Sequence, residues 1–471
     1  MATSTNTAMY DIGIRCKYLL TMSGAESQSN SQSFGNAGEN HFIGITGKKI
    51  AEISKWTLEK KALCREFIDA DSHVAMPGLV NGHTHLAMTL FRGLGDDLPF
   101  HRWLFDLILP LESALVDSEF VRIGTELAAL ECIRFGVTTV SDMYFFAETI
   151  ADVCDRAGLR GWIGQVSASN PLPEDKVLGT NKTQLFERLY EKYRDHERIV
   201  PALAPHAPYT CNDELLKEVV RLSEKYNSPI HTHVSETARE VEESLKVHGK
   251  TPVQRLNELG ILASLKSGRT SRTLAAHCVH LNDADIEIMK RTNTAIVHNP
   301  DSNLKLSSGI APLAKYLRAG IPVALGTDGS ASKNDLSIFG VMDLATKLQK
   351  VVAPASVDGT GIVAEDSLKC ATLGGAQALG IEKKTGSLEV GKEADVILVD
   401  LNYPHLQPVY DVRSTLVYAT QGLEVDTVIC QGRMLMRKKT MLTLDQEKIL
   451  SSVRGLSEKV RSAAYKLVCK V

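Results

Sequence analysis

Several features that would mark other protein classes are missing from this sequence. No stretch approaches the roughly 18 consecutive apolar residues that cross a membrane, and residues 1–10 lack the basic and apolar segments of a secretion signal. No charge of one sign dominates, since 53 Lys and Arg face 56 Asp and Glu, for a formal net charge of −3. These absences argue against nucleic acid or an acidic membrane as the main partner and predict a soluble, cytoplasmic protein.

Cysteine is scarce as well. Nine cysteines are scattered over 471 residues, their number is odd, and no two of them form a Cys-x-x-Cys pair. Neither a disulfide framework nor a zinc site built from thiolates is indicated. A reducing compartment such as the cytosol fits this usage best.

A rhythm of strands and helices fills the middle of the chain. With 471 residues, 44% of them hydrophobic, the chain can bury one large core and a smaller one. From Ala75 onward, short apolar runs alternate with helical segments such as 116–135 and 183–196. The eight candidate strands are 78–83, 136–142, 159–166, 200–204, 230–233, 273–277, 294–297 and 322–327. Eight strands separated by helices predict an α/β fold of the (β/α)8 TIM-barrel type.

Short strands without this rhythm flank the central segment. The candidates are 10–22, 41–46, 49–54 and 66–69 near the amino terminus and 386–400, 425–430 and 433–436 near the carboxyl terminus. We expect them to pair into one small β-sandwich, so that residues 1–74 and 381–471 form a second domain beside the barrel at 75–380. A charged helix is predicted at 445–467, and the Ser/Asn-rich segment 23–40 is expected to be a surface loop without a catalytic role.

Two histidines follow the first barrel strand, in Pro77-Gly78-Leu79-Val80-Asn81-Gly82-His83-Thr84-His85. Residues i and i+2 of an extended strand share a face, so the imidazoles of His83 and His85 can reach one metal ion. Imidazole nitrogen is a preferred zinc ligand, and a catalytic zinc site keeps one position open for water. An isolated His-x-His could equally be a pair of polar surface residues, so the interpretation depends on partners elsewhere in the chain.

Later candidate strands also end in side chains that can bind a metal or move a proton. His233 and Glu236 follow the fifth strand, His277 ends the sixth, and Asp328 follows the eighth. The chemistry of (β/α)8 barrels lies at the carboxyl ends of the strands, so these side chains are expected to meet. The pattern predicts an enzyme built around a metal-activated water.

These motifs resemble the amidohydrolase superfamily, and within it the deaminases that act on 5'-methylthioadenosine and S-adenosylhomocysteine. The resemblance covers nearly the whole chain, up to Gly391-Lys392-Glu393-Ala394-Asp395. The narrower likeness is carried by Leu109-Pro110-Leu111-Glu112, Ala204-Pro205-His206-Ala207-Pro208-Tyr209, Ala276-His277-Cys278-Val279-His280 and His298-Asn299-Pro300-Asp301-Ser302-Asn303-Leu304-Lys305-Leu306. The resemblance implies a hydrolytic deaminase that converts an adenine nucleoside to the inosine analogue and ammonia.

A set of metal ligands is implied by the same resemblance. His83, His85, His233 and Asp328 would bind one divalent ion per subunit, expected to be zinc, with iron and manganese left open. No lysine stands at 200–206, where two-metal relatives place a bridging lysine after the fourth strand. A bound zinc ion lowers the pKa of its water from about 15.7 toward 7.

Catalytic roles are implied for three residues. Asp328 would take the proton of that water, and His277 would orient the hydroxide and stabilise the tetrahedral centre. Glu236 would carry a proton to ring nitrogen N1 and then to the departing ammonia. Taken alone, Glu236 could instead be a solvated glutamate at the start of a charged helix.

Substrate contacts are implied for Glu112 and His206, in addition to Glu236 and Asp328. Glu112 would accept hydrogen bonds from the ribose hydroxyls, and His206 would contact the nucleoside. Taken alone, Glu112 could be an acid at a helix start and His206 a residue of loop packing. The chain departs from the family at Gln165, where relatives that accept S-adenosylhomocysteine have an arginine, so methylthioadenosine becomes the more favoured substrate.

Other histidines and other functions are weighed beside these assignments. His231, His280 and His298 are expected to be structural or to orient the ligands. A guanine deaminase or an s-triazine chlorohydrolase would have a nearly identical metal site, although neither substrate needs an acceptor for a ribose diol. A non-catalytic scaffold is the alternative from another class, and the complete residue set counts against it. By analogy, a homo-oligomer could form through the apolar helix 103–111.

Overall fold

Two sheets organise the chain. The structure, a computed structural model, describes residues 8–23, 40–178, 182–262, 272–352 and 361–468. Apart from its two end residues, the loop predicted at 23–40 lies outside the described residues. No helix in these described ranges is both long and apolar enough to cross a membrane.

The strands of the described residues are numbered in chain order. They are β1 (Tyr10–Leu19), β2 (His41–Thr46), β3 (Lys49–Lys55), β4 (Cys64–Pro77), β5 (Leu79–Thr84), β6 (Val137–Tyr144), β7 (Arg160–Ser167), β8 (Ile199–Pro205), β9 (Ile230–Val234), β10 (Thr273–His277), β11 (Ala295–His298), β12 (Val323–Leu325), β13 (Val396–Asp400), β14 (Val425–Cys430), β15 (Arg433–Arg437) and β16 (Thr440–Met441).

The α-helices are numbered in the same way. They are α1 (Leu58–Ala62), α2 (Leu109–Leu115), α3 (Ser118–Arg134), α4 (Ala147–Ala157), α5 (Pro173–Leu178), α6 (Lys182–Tyr193), α7 (Asp213–Tyr226), α8 (Ala238–His248), α9 (Pro252–Glu258), α10 (Asp283–Arg291), α11 (Pro300–Lys305), α12 (Leu313–Arg318), α13 (Ile338–Val352), α14 (Ala364–Ala371), α15 (Leu373–Ala378), α16 (Val412–Tyr418) and α17 (Gln446–Val468). Two 3-10 helices, Leu86–Phe91 and Pro404–Leu406, and a π-helix, Arg102–Ile108, complete the elements.

The first sheet is the predicted barrel. Strands β5 to β12 lie side by side in the order of the sequence, each parallel to its neighbour. Each of the eight overlaps one predicted strand, and helices separate them along the chain. Every residue of β6 and of β7 is buried, as expected of strands with the barrel interior on one face and helices on the other. The (β/α)8 fold is therefore confirmed.

The barrel closes between β12 and β5 through the side chain of Asn81. Its Nδ2 donates to Thr327 Oγ1 at 2.7 Å, and its Oδ1 accepts the N–H of Thr327 at 3.1 Å. The N–H of Asp328 donates to the carbonyl of His83 at 3.0 Å. Only glycine fits at position 82, because a Cβ there would lie 2.6 Å from the Cβ of Ala324. The closure sets the last barrel strand directly beside the first histidine motif.

The second sheet joins the two ends of the chain, which confirms that part of the prediction. Its order is β16-β15-β14-β13-β4-β1-β2-β3, so the amino-terminal strands meet the carboxyl-terminal ones where β4 pairs with β13. Side chains alternate along β13: Val396 and Leu398 face the sheet's own apolar cluster, whereas Ile397 and Val399 join the core of the barrel and its helices. A bridge between Lys49 and Glu393 brings β3 back toward the segment before β13, so the sheet curls around its own cluster.

An ion-pair network fastens this sheet to the amino-terminal end of the barrel. Arg160, the first residue of β7, bonds the carboxylate of Asp395 at 3.2 Å and that of Glu393 at 2.6 Å. The same Asp395 accepts the N–H of Gln431 at 2.7 Å and the hydroxyl of Thr385 at 2.9 Å. The Gly391–Asp395 motif thus lies at the joint between the two sheets, at the end of the barrel opposite the strand ends that carry the histidines.

Candidate active site

Four side chains that can bind a metal converge at the carboxyl ends of the barrel strands. His83 in β5, His85 just after it, His233 in β9 and Asp328 after β12 place their nitrogen and carboxylate oxygen atoms within 4.8 Å of one another. Three imidazoles and one carboxylate in this arrangement could hold one divalent ion. Among the residues that the structure describes, no other group of histidines, cysteines and acids has this spacing.

The contacts among these atoms test whether a cation fits. Asp328 Oδ1 lies 3.1 Å from His85 Nε2 and 3.3 Å from His83 Nε2, and His233 Nε2 lies 3.4 Å from His85 Nε2. His83 Nε2 is buried and has no hydrogen-bond partner. A buried nitrogen without a partner is costly, and a cation between the imidazoles and the carboxylate would satisfy it. The residues fit a divalent metal.

The other ring nitrogen of each histidine is also held. His85 Nδ1–H donates to the carbonyl of Met143 at 2.6 Å, and His233 Nδ1–H donates to the carbonyl of His206 at 2.7 Å. A carbonyl can only accept, so both rings keep their Nε2 lone pair for a metal. His83 Nδ1 differs, because its partner at 2.9 Å is the side chain of His231.

Asp328 is oriented by two serines that the sequence analysis missed. Ser302 Oγ donates to Asp328 Oδ2 at 2.6 Å, and Ser332 Oγ donates to the same oxygen at 2.9 Å. These bonds occupy Oδ2 and leave Oδ1 toward the histidines. Ser302 lies in the family-like segment 298–306, but no feature of the sequence paired either serine with Asp328.

Burial and the charge of Asp328 shift the pKa values of the four side chains. Burial lowers the pKa of His83 to about 3 and the pKa of His233 well below its usual value, so both rings are neutral. Burial alone would lower the pKa of His85, but the hydrogen bond and charge of Asp328 raise it to about 9. The two histidines next to Asp328 hold its own pKa well below the usual range.

Glu236 and His277 lie beside these four side chains. His277 Nδ1 bonds the Asn303 side chain at 2.8 Å and lies 3.8 Å from Glu236 Oε1. Glu240 holds the backbone before and at Glu236, since its two oxygens accept the N–H groups of Ser235 at 2.9 Å and Glu236 at 2.8 Å. Burial raises the pKa of Glu236, which favours the protonated form of this carboxyl group relative to an exposed glutamate.

A cavity of about 240 Å³ opens above these residues. His85, His233, Glu236, His277 and Asp328 lie at its polar end. The remaining wall is mostly apolar and includes Phe100, Trp103, Leu104, Ile108, Val166 and Leu172. No lysine or arginine whose side chain the structure describes lines it. The cavity can accept a ligand with one polar, nitrogen-rich end and a largely apolar remainder.

The segment predicted as an interface helix contributes to this wall. It forms the π-helix Arg102–Ile108 and the start of α2, and most of its apolar side chains are buried. Phe105 and Leu109 are the large apolar residues of the segment that stay exposed, at 40% and 37%. π-Helical turns are rare and often accompany functional sites. Oligomer formation through this helix stays a prediction.

Glu112 and His206 both reach the cavity. Glu112, in α2, is buried and accepts a hydrogen bond from the Tyr144 hydroxyl at 2.7 Å. Burial raises the pKa of Glu112 to about 7, although the Tyr144 bond acts in the opposite direction. His206 follows β8, and its Nδ1 lies 2.9 Å from Thr210 Oγ1. Glu112 does lie in the first turn of α2, but it is buried at the cavity rather than solvated, and Tyr144 is a further cavity residue that the sequence analysis missed.

Gln165 is held by a buried carboxylate. Its Nε2 donates to Glu174 Oε1 at 2.5 Å, and Glu174 Oε2 accepts the N–H of Phe146 at 2.7 Å. Gln165 and Glu174 are both buried in the wall behind the cavity. Position 165, where relatives that accept S-adenosylhomocysteine are expected to carry an arginine, thus holds a neutral amide bonded to Glu174.

Comparison with known proteins places this geometry in a family. The sequence profile of the amidohydrolase family matches residues 74–435. The chain is 45% identical over 388 residues to a 5-methylthioadenosine/S-adenosylhomocysteine deaminase of Caldanaerobacter subterraneus subsp. tengcongensis, covering 82% of this chain and 86% of that protein. It is 42% identical over 417 residues to a 5'-deoxyadenosine deaminase of Methanocaldococcus jannaschii, covering 88% and 94%. The chain belongs to the amidohydrolase family.

A solved structure agrees with this assignment. The fold of this amidohydrolase superposes on the crystal structure of an adenosine deaminase from Xanthomonas campestris with bound zinc, with a TM-score of 0.87 and 34% sequence identity. The superposition covers 96% of this chain and 99% of that one. The likeness therefore includes both sheets and not the barrel alone.

The three other histidines of the amidohydrolase motifs occupy different places. His231 lies beside His83, inside the barrel. His280 Nε2 donates to the carbonyl of Ser308 at 2.7 Å, which is a structural contact. His298 ends β11, is buried, and has no hydrogen-bond partner at either ring nitrogen. None of the three belongs to the group of four ligands.

Proposed function

We propose that this amidohydrolase is a zinc-dependent deaminase that replaces the C6 amino group of an adenine nucleoside by oxygen and releases ammonia. The observation that carries the proposal is the meeting of His83, His85, His233 and Asp328 within 4.8 Å, at the polar end of a cavity that also contains Glu236 and His277. The named relatives that share this fold and at least a third of the sequence are adenine nucleoside deaminases.

The donor set supports a single zinc ion held by His83, His85, His233 and Asp328. Neutral imidazole and carboxylate ligands suit zinc, while iron and manganese remain alternatives with the same donors. A bound zinc ion supplies a water whose pKa falls from about 15.7 toward 7. The end of β8 offers Pro205 and His206 rather than a lysine, which supports one ion and not two.

The chain's own residues then move the protons. Asp328, ionised and oriented by Ser302 and Ser332, takes the proton of the water. Glu236 delivers a proton to N1 of the adenine ring, which makes C6 electrophilic. It then takes the proton of the new C6 hydroxyl and passes it to the departing amino group, and the proton held by Asp328 finally returns to Glu236. His277, fixed by Asn303, stabilises the negative charge that develops at the tetrahedral carbon.

Glu112 supports a nucleoside rather than a free base. A buried carboxylate in the cavity, bonded to Tyr144 on one oxygen, can accept hydrogen bonds from the two ribose hydroxyls. His206 would contact the sugar from the loop after β8. Guanine and chlorotriazines have no diol for Glu112, so its buried position counts against those substrates. The complete catalytic set counts against a non-catalytic scaffold.

The wall near Gln165 supports a short, uncharged 5'-substituent. The cavity has no described cation to pair with a carboxylate, and Gln165 is neutral where relatives that accept S-adenosylhomocysteine are expected to carry an arginine. A carboxylate brought to this wall would lose its hydration and meet no cation among the side chains that the structure describes. We therefore expect 5'-methylthioadenosine and 5'-deoxyadenosine to be better substrates than S-adenosylhomocysteine. Cytoplasmic location and homo-oligomer formation stay predictions.

Loss of adenine absorbance with a panel of substrates tests the proposal. We expect turnover of 5'-methylthioadenosine, 5'-deoxyadenosine and adenosine, weaker turnover of S-adenosylhomocysteine, and none of guanine or a chlorotriazine. Glu236→Gln serves as the matched control, because it keeps the side-chain volume and should bind zinc normally while turnover falls roughly 10²- to 10⁴-fold. Normal turnover in this variant, or preferred turnover of guanine, would contradict the assignment.

A further inference from the structure

The three imidazole ligands differ in what holds their second nitrogen. For His85 and His233 the acceptor is a backbone carbonyl, of Met143 and of His206 respectively. For His83 it is the Nε2 of His231, at 2.9 Å. The ring of His83 therefore depends on another side chain, and that side chain can be removed without touching a ligand or the backbone.

His231 lies directly below the metal ligands inside the barrel. It precedes His233 by two residues in β9, so the two side chains share a face of the strand. Ser141 lies two residues before Met143 on β6, and its Oγ is 3.2 Å from His231 Nδ1. The residues of this chain, His83, His231 and Ser141, are exposed by no more than 1%. The three side chains are closed off from bulk solvent, so the contacts among them are the ones that hold their ring nitrogens.

The direction of the hydrogen bonds follows from the chemistry of imidazole. If His83 gives its Nε2 lone pair to the ion, its proton lies on Nδ1 and is donated to His231 Nε2. A neutral His231 then carries its own proton on Nδ1 and donates it to Ser141 Oγ. The opposite direction would place a proton on His83 Nε2 and would block its lone pair. Only one arrangement of protons is compatible with a metal-binding His83.

We propose that His231 is a positioning residue for the metal site: it holds the ring and the tautomer of His83, and Ser141 holds the tautomer of His231. The inference rests on the proposed metal site and goes beyond it, because His231 contacts neither ion nor substrate. Loss of such an outer partner typically costs roughly 10- to 100-fold in metal affinity. The two ligands held by carbonyls have no equivalent side chain.

Zinc affinity of the metal-free protein, measured by competition with a chromophoric chelator, tests this. His231→Met removes the acceptor with little change in volume, and we expect its zinc Kd to rise about 10- to 100-fold. In His231→Gln the amide oxygen can replace Nε2 as acceptor, so most of the affinity should return. His405→Gln, a histidine bonded to Glu424 in the second sheet region, is the matched control and should leave the Kd unchanged.

The outcomes separate positioning from packing and from the proposed function itself. A packing role would lower the unfolding temperature of the metal-free His231→Met chain without changing the zinc Kd of folded protein. A folded His231→Met with the parent's Kd, or a His231→Gln as weak as His231→Met, overturns the proposal. If His231→Met does not fold, Ser141→Ala is measured instead. We expect its zinc Kd to rise several-fold, and an unchanged Kd would contradict the proposal. A parent chain that binds no zinc would instead refute the metal site.

Discussion

Glu112 is the residue whose ionisation connects substrate binding to the pH of the solution. Burial raises its pKa to about 7, and only the ionised form accepts hydrogen bonds from both ribose hydroxyls. Protonation on the acid side of this value removes that capacity. We therefore expect KM for 5'-methylthioadenosine to rise as the pH falls through about 7 and to be flat above it.

Steady-state kinetics of Glu112→Gln, compared with the parent across this pH range, measure the effect. Loss of hydrogen bonds to a charged group costs about 1.5–3 kcal/mol, so kcat/KM should fall roughly 10- to 100-fold at pH 8. A 2',3'-dideoxy substrate analogue is the control, because it has no diol to lose. An equal loss with the analogue would show that Glu112 does not bind the ribose.

At the residue scale, the sequence led to a proposed set of metal ligands and to His231 as a possible orienting residue, but not to the other groups that hold the site. His83, His85, His233 and Asp328 could be proposed because each follows an apolar strand and because the motifs resemble a family. Tyr144 and Ser332 gave no such signal. Tyr144 meets Glu112 only through the fold, across the barrel mouth, whereas Ser332 follows Asp328 closely in the sequence but belongs to no motif that marks it.

At the scale of elements, the strand ends carry unusual backbone. Ser235, His277 and Asp328 have φ values of 49°, 70° and 62°, in the left-handed region that residues other than glycine seldom adopt. Each residue lies where a barrel strand gives way to its loop. Such conformations persist where the surrounding structure holds them, and here they turn the side chains of His277 and Asp328 toward the cavity.

The joint between the two sheets is the element whose stability can be tested apart from the site. Arg160 is 3% exposed and bonds Asp395 and Glu393. Arg160→Met would leave these carboxylates without their cation, and we expect the free energy of unfolding to fall by about 3–5 kcal/mol. Urea unfolding followed by circular dichroism measures the change.

An exposed ion pair provides the comparison. Arg188 bonds Glu148 at 3.2 Å, but its side chain is 57% exposed, so Arg188→Met should change stability by about 0–1 kcal/mol. Zinc content should remain normal in both variants, because the joint lies at the opposite end of the barrel. Equal stability of the two variants would show that the Gly391–Asp395 motif does not secure the joint.

Prediction of elements succeeded where local pattern and tertiary environment agree. The eight barrel strands were found because buried parallel strands are continuous apolar runs. Strand β4 was predicted as 66–69 but runs from Cys64 to Pro77. Its middle, Asp69 to His73, is mostly polar. The strand continues there because β1 pairs with it up to Ala70 and again from Val74, while β13 pairs with it from His73 onward.

At the scale of the whole molecule, the closure of the barrel brings the site together. Asn81 and Gly82 join β5 to β12. This contact places His83 beside Asp328, although the two residues lie far apart in the sequence. The curled second sheet covers the opposite end. The candidate site therefore lies at one end of the barrel, and the second sheet is attached at the other end.

The central claim is that four side chains from three strand ends hold one metal ion and that the reaction needs this ion. The most direct test measures bound metal and activity together. The protein is stripped with a chelator, and zinc is then added stepwise while bound metal and deamination of 5'-methylthioadenosine are measured. The account predicts no turnover without metal, full turnover at one zinc per chain, and neither binding nor turnover restored in Asp328→Asn. Full turnover by the metal-free chain, or a requirement for two ions, would contradict it.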